Sequence, residues 1–233
     1  MELSLEFWYM LPVAIVFATV ALGSGVEGAT FFSPFFILAL GLEPRTAISA
    51  GLIVEVFGFG SGLVAYIRRR LIDYRMGGTL LAVSIPAALV GTYAAHYVAD
   101  DILKTVLGVG LVVVAASFLR SPTAAVRDQI DAANRQSPDR AERCRRTADG
   151  EELCYTVFNR TEGILSGGIG GLFIGMVSTG LGELNGYLFL QRCRIPARIA
   201  VATSVFVVAV TALTASAGTI ATLLPVGGST GER

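Results

Sequence analysis

Residues 25–34 read Gly-Val-Glu-Gly-Ala-Thr-Phe-Phe-Ser-Pro. In altered form the pattern returns 155 positions later, at 180–189, as Gly-Leu-Gly-Glu-Leu-Asn-Gly-Tyr-Leu-Phe. Each copy is followed by a short turn, a proline and a long apolar run. Recurrence in fixed order means one structural unit written twice. In an apolar chain, a glycine-broken hydrophobic segment that occurs twice predicts discontinuous helices that build a site near the middle of the membrane.

Composition narrows the class. Hydrophobic residues make up 53% of the 233 and charged residues 15%, against about 25% charge in a soluble domain. The chain reads as a multi-pass protein of the cell membrane, with the lipid bilayer as its first partner. Its 18 basic and 18 acidic residues cancel, so no nucleic-acid partner is expected. The first apolar run follows an acidic start rather than a basic one, which predicts no signal peptide. Cys144, Cys154 and Cys193 lack metal-ligand spacing and leave an odd count, which predicts free thiols and no metal site. No cofactor motif is present.

The expected fold is an all-α polytopic membrane protein of two internal repeats, inverted relative to each other. The first membrane repeat covers 7–120, a polar connection 121–162, and the second repeat 163–224. Phe7 to Val26 is long enough to span about 30 Å, with Phe7, Trp8 and Tyr9 at its edge. Glu27 and Gly28 interrupt the run. Ser33 followed by Pro34 predicts the start of a half-helix. Thr46 to Ile67, Met76 to Ala99 and Ile102 to Leu119 then read as spans. The polar connection holds much of the charge, and Asp149-Gly150 before alternating Leu153, Tyr155 and Val157 predicts a hairpin.

The second repeat begins with a glycine-dense run, Gly163 to Gly182, broken at Glu183. Leu184 to Gln191 is too short to span, Pro196 opens the next helix, and Ile199 to Leu224 crosses. Counterparts of 76–99 and 102–119 are missing. The small-residue faces of 163–175 and 209–218 are therefore expected to meet lipid, a second copy of the chain or a complementing subunit, whereas Gly91 and Gly108 invite close packing in the first repeat.

Two topologies fit these runs. If 7–42 cross once, the basic residues divide 13 against 5; if 7–42 return to the side they entered, 15 against 3. Both place the 121–162 connection in the cytoplasm; the positive-inside bias favours the second, which inverts the second copy. Asn159 opens a formal glycosylation sequon; a sugar there would reverse this orientation.

No catalytic set is present. The one histidine, His96, lies beside Asp100 near a helix end and reads as a cap or an interfacial group, so no enzymatic activity is expected. Irregular backbone at membrane depth survives only where it is buried or lines a cavity, and N–H groups at a half-helix start suit an anion. The predicted substrate-binding residues are Gly25, Gly28, Thr30 and Ser33 in the first break, with Ser178, Thr179, Gly180, Gly182 and Asn185 in the second. The bland alternative is that the glycines serve packing alone. Glu27, Glu55 and Glu183 are intramembrane carboxylates and proton-coupling candidates. For Glu27 and Glu183 the alternative is capping of neighbouring helix N-termini, and for Glu55 a hydrogen bond to a packed neighbour. Arg45 and Arg198 follow Pro44 and Pro196 at equivalent helix starts, as interfacial anchors or as attractors of an anion at the mouth.

The run from Gly25 to Pro34, then Pro44 with Ala47 and the small-residue helix after it, resembles the signature of the TauE/SafE sulfite exporter family. So does Gly180 to Asn185 followed by Ile195 to Ser204. The resemblance covers roughly 10–120 and 163–220. It departs from the pattern at Glu27, where glycine is common, and at the two absent helices. It implies a carrier of small anions such as sulfite or sulfonates, and suggests coupling to protons. The rival reading is a non-transporting membrane subunit that contributes helices to a larger complex.

Overall fold

A computed structural model describes residues 8–119, 141–157 and 160–223. Phe7, Asn159 with its sequon, Leu224 and residues 121–140 of the connection lie outside the described residues. Among the described residues, eight α-helices and one hairpin follow in order: α1 (Met10–Ser24), α2 (Ala29–Ala39), α3 (Pro44–Arg68), α4 (Tyr74–Ala95), α5 (Asp100–Leu119), β1 (Ala141–Arg146), β2 (Glu152–Val157), α6 (Arg160–Val177), α7 (Leu181–Gly186) and α8 (Ala197–Leu223). A π-helical segment, Tyr187–Arg192, continues α7.

Among the described residues, three helices are long and apolar enough to cross a membrane: Pro44–Arg68, Tyr74–Ala95 and Ala197–Ile220. At about 1.5 Å per residue each exceeds 30 Å. The 15 residues of α1 and 11 of α2 do not. Gly25 ends α1 in the left-handed conformation, φ 76°, its N–H bonded to the Ala21 carbonyl. The expected start at Ser33 is displaced: α2 begins at Ala29 and Pro34 lies inside it. Only one turn precedes that proline, so it disturbs little of the ladder, and the Ser33 hydroxyl faces Ser178 instead of capping.

The broken pair returns to the end it came from. Met10 and Ala14 of α1 share an apolar cluster with Leu40 and Leu42, just beyond α2. Phe17 binds the two together, its ring 5.3 to 5.8 Å from those of Phe31, Phe32 and Phe35. α6 runs the opposite way. Its last residue, Val177, clusters with Ile48, Leu103 and Leu107 at the starts of α3 and α5, and the chain then comes back until Arg192 pairs with Glu162.

Glycine sets the tightest seam, between α4 and α6. A Cβ at Gly171 would stand 2.5 Å from the Ser84 carbonyl oxygen, and one at Gly175 would strike the Ala88 oxygen and come within 2.7 Å of the Thr92 nitrogen. Gly91 meets the backbone of Leu172 in return. The expectation that the Gly163–Gly175 face lacks a partner within the chain is therefore corrected: α4 covers it. The α8 face is covered as well, with Gly218 against Leu89 and Thr92. Gly108 goes the other way. Among the described residues nothing stands within 4 Å of a Cβ there, so it does not make the close packing expected of it.

The hairpin forms as expected, β1 antiparallel to β2. Its register sets Cys144 opposite Cys154, and the two are disulfide-bonded. This corrects the free-thiol reading for that pair, because an odd count says nothing about which cysteines a hairpin brings together; Cys193 is buried outside the bridge. Asp73 anchors the hairpin. Its carboxylate caps α4 through the Arg75 and Met76 N–H groups, both 3.0 Å away. It also accepts from Arg143 at 2.7 Å and from the Tyr155 hydroxyl at 2.8 Å.

Burial would raise the Asp73 pKa, but the Met76 N–H, Tyr155 and Arg143 outweigh it and hold the carboxyl below its ordinary 3.8. Burial, and then Asp73 itself, push the Tyr155 hydroxyl up. A depressed carboxyl stabilises fully above its unfolded value and loses that contribution as pH falls through the lowered one. Amide protection of the hairpin, corrected for intrinsic exchange at each pH, is thus expected to stay constant from neutral down to about pH 4 and to fall below it. Asp73→Asn should reduce that protection at pH 7 and leave it insensitive to acid.

Candidate functional site

The two breaks face each other in the interior. Gly25 and the residues to Gly28 connect α1 to α2; Ser178 to Gly180 connect α6 to α7. Ser178 (φ 58°) and Gly180 (φ 120°) both sit in left-handed backbone. Such a conformation is costly for serine and persists only where the surroundings impose it. Here they do: the Ser178 hydroxyl bonds that of Ser33 at 3.0 Å, and a Cβ at Gly51 of α3 would collide with the Ser33 hydroxyl and touch that of Ser178.

Glu27 reaches from the first break into the second. Its carboxylate is 0% exposed and accepts the N–H groups of Gly180, Leu181 and Gly182, the last two at 3.0 Å. Gly182 has no side chain because Glu27 Cγ and the Gly25 carbonyl would each be 3.0 Å from its Cβ. Glu183 lies alongside. It accepts from the Gly180 N–H at 3.0 Å and from Thr30 at 2.5 Å, and Thr30 is itself 2.6 Å from Thr179. Both carboxyl groups therefore meet over the one Gly180 N–H.

Most of the expected site residues thus converge. Gly25, Thr30, Ser33, Ser178, Thr179, Gly180 and Gly182 line the meeting point, and Gly28 caps α2 beside it. Asn185 is 0% exposed, yet among the described residues neither its oxygen nor its nitrogen has a hydrogen-bond partner. Glu55 is 1% exposed on α3, and among the described residues neither of its oxygens has a hydrogen-bond partner. The neighbour expected to satisfy Glu55 is therefore not found among the described residues.

One cavity borders the meeting point and another lies at the Arg45 end of the bundle. The first, about 680 Å³, is largely apolar and lies among α5, α6, α7 and the π-helix, with Gly180 and Glu183 in its wall. The other, about 60 Å³, runs from Arg45 past Thr92 and His96 to Gly175 and Met176. At its mouth Arg45 binds Asp100 at 2.9 Å and the Val98 carbonyl at 3.0 Å. His96 ends α4, its Nδ1 2.9 Å from the Thr92 carbonyl oxygen. Arg198 holds Glu151 of the hairpin at 2.8 Å.

Sequence reasoning missed Ser204, whose hydroxyl bonds the Gly25 carbonyl at 3.4 Å, and Gly51. Both sit on regular helices outside the breaks, where no local irregularity marks them.

The family model described as sulfite exporter TauE/SafE matches residues 10–230, nearly the whole chain. The chain belongs to the TauE/SafE family. It is also similar to the probable membrane transporter protein YunE of Bacillus subtilis (strain 168), 24% identical over 210 residues that cover 88% of this chain and 74% of the relative. No solved structure matches. Membership makes this a multi-pass membrane transporter of the TauE/SafE type and not an enzyme.

Proposed function

We propose that this TauE/SafE protein carries a small oxyanion across the membrane, of the class of sulfite or a small sulfonate, bound where the two breaks meet. One observation carries the reading: the Glu27 carboxylate rests on three backbone N–H groups of the opposite break. A carboxylate and a sulfur oxyanion ask for the same donors. Glu27 therefore holds the place of the substrate, and an incoming anion displaces it. Carboxylates so placed at membrane depth need a compensating proton, donor or water. Glu27, with Glu183 beside it and Glu55 behind, supplies a proton-exchange group that moves as the anion binds.

The opposed courses of α1–α2 and α6–α7 support two repeats of inverted sense, which allow one site to open to either side. Among the described residues, eleven arginines stand at the hairpin end, whereas Arg45 and Lys104 stand at the other. That distribution supports a cytoplasmic hairpin. The rival, a subunit that lends helices to a larger complex, draws on the apolar cavity beside α5, where Val109 and Val113 are exposed.

Purified full-length protein in liposomes separates the two. Sulfite or sulfoacetate efflux is expected above that of empty liposomes. It should fall at least tenfold in Gly180→Val, whose side chain meets left-handed backbone and Phe173 Cβ at 3.0 Å, and in Gly25→Val, strained at φ 76° against Val201. Undiminished flux in both folded, inserted variants would remove the site assignment. No flux from the purified chain, restored by a co-purified partner, would favour the subunit.

A further inference from the structure

We infer that Cys144 and Cys154 form a reversible thiol–disulfide exchange site that controls whether the β1–β2 hairpin stays docked on the cytoplasmic mouth of the transporter. Three observations combine. The first is the division of the hairpin into two faces. Arg143, Arg145, Leu153 and Tyr155 turn to the bundle: Arg143 and Tyr155 bond Asp73, Arg145 donates to the Arg70 carbonyl at 3.0 Å, and Leu153 and Tyr155 join the main apolar core. The alternate residues Cys144, Cys154 and Glu152 are exposed. The sulfurs therefore stand on the water side, open to a small thiol or disulfide, and are not part of the docked interface.

The second is charge. Arg68, Arg69, Arg70 and Arg75 share the hairpin's end of the molecule with Arg192, Arg194 and Arg198, a basic surface that retention in the cytoplasm explains. The cytosolic thiol pool opposes permanent disulfides there, and those that do form are transient and responsive. A disulfide on a basic, cytoplasmic end is one that cycles.

The third is the position of the anchor. The Asp73 N–H donates to Thr203 Oγ1 at 3.0 Å, and the next residue, Ser204, bonds the Gly25 carbonyl two positions from Glu27. Hairpin docking and the first break thus share the opening turns of α8.

The chemistry balances with a glutathione-type disulfide as oxidant. The thiolate of one cysteine attacks that disulfide, forms a mixed disulfide and releases one small thiol. The thiolate of the other then attacks the protein sulfur, closes the Cys144–Cys154 bond and releases the second. Two electrons and two protons pass from the protein dithiol to the small disulfide, and two small thiols reverse the change. An isolated two-stranded hairpin is marginal in water. A bridge across residues ten apart shifts the docked-to-undocked ratio by roughly a hundredfold.

The test uses the full chain in inside-out membrane vesicles with glutathione or its disulfide in the bath. A chelator is present because Glu152 and the two reduced sulfurs would offer a metal ion three ligands. Alkylation and mass spectrometry are expected to show both cysteines converting between states. Tryptic cleavage at Arg143 and Arg145 should run at least tenfold faster when they are reduced. Sulfite flux should change at least threefold with the bath. In the Cys144→Ser/Cys154→Ser double variant, cleavage and flux should stay at the reduced level in either bath. Cleavage that ignores redox state overturns the inference, and so does a bridge that permeant alkylators find fully closed in growing cells. The flux arm rests on the transport reading above and the cleavage arm does not. Absent sulfite flux with redox-dependent cleavage would sink that reading and sustain this one.

Discussion

Gly175→Val is expected to prevent accumulation of folded protein. At this position α4 and α6 touch backbone to backbone: a Cβ would strike the Ala88 carbonyl oxygen and approach the Thr92 nitrogen to 2.7 Å. Neither is the end of a flexible side chain, so relief requires the helices to move apart. Separation would also open the neighbouring contacts of Gly171 with Ser84 and Gly91 with Leu172. Overpacking a core costs about 1–3 kcal/mol where side chains can yield, and here they cannot, so the loss should exceed about 4 kcal/mol, a large part of the stability of a domain. Gly108→Val is the matched control. It adds the same side chain to α5, where nothing among the described residues stands within 4 Å. Quantified membrane extracts and detergent melting curves should show near-normal levels for Gly108→Val and a loss for Gly175→Val. Equal levels of the two would mean that the seam is looser than these distances state.

Much of the fold was legible because its strongest signals are local. Long apolar runs give α3, α4 and α8, glycine at 25 and at 180 gives the breaks, and Asp149-Gly150 gives the hairpin turn. What escaped was pairing. The glycines of α6 announce a close approach without naming the partner, and only the course of the chain shows that α4 fills that face. The Ser33-Pro34 pair looked like a helix start because a cap and a first-turn proline were the local rule. Tertiary packing began the helix four residues earlier and gave Ser33 a partner at Ser178. Cys144 and Cys154 follow the same logic: the hairpin was readable, but its register, which sets them opposite each other, was not.

The candidate site residues were singled out through the doubled motif. Their mutual arrangement was hidden, since it depends on contacts between positions about 150 apart. The two glutamates illustrate this. As sequence they are equivalent interruptions. In the fold Glu27 crosses to the other break and takes three N–H groups, whereas Glu183 accepts the N–H of Gly180 three residues before it and the hydroxyl of Thr30. Asp73 carried no motif at all, yet it joins the hairpin to α4.

Glu27→Gln should uncouple transport from the proton gradient while leaving anion exchange in place. The carboxylate offers charged oxygens to the N–H groups of Gly180, Leu181 and Gly182. Hydrogen bonds to a charged group are worth about 1.5–3 kcal/mol each. Glutamine keeps the shape but offers one neutral oxygen and an NH₂ group that opposes an N–H donor, so it holds the cradle weakly. An oxyanion then competes against a poorer occupant, and its apparent affinity should rise by about one to two powers of ten, since each 1.4 kcal/mol is about tenfold. Under the proposed mechanism the same substitution removes the group that gains or loses a proton when the anion takes its place. In liposomes with equal sulfite on both sides, a pH step is expected to drive net flux in the wild type and at least tenfold less in Glu27→Gln. Exchange of labelled for unlabelled sulfite should persist in both. Exchange proves the variant folded, so the coupling result stands apart from any loss of stability. Net flux that still follows the pH step in Glu27→Gln would move proton exchange to Glu183 or Glu55. Loss of exchange in a folded variant would leave Glu27 as a helix cap and nothing more.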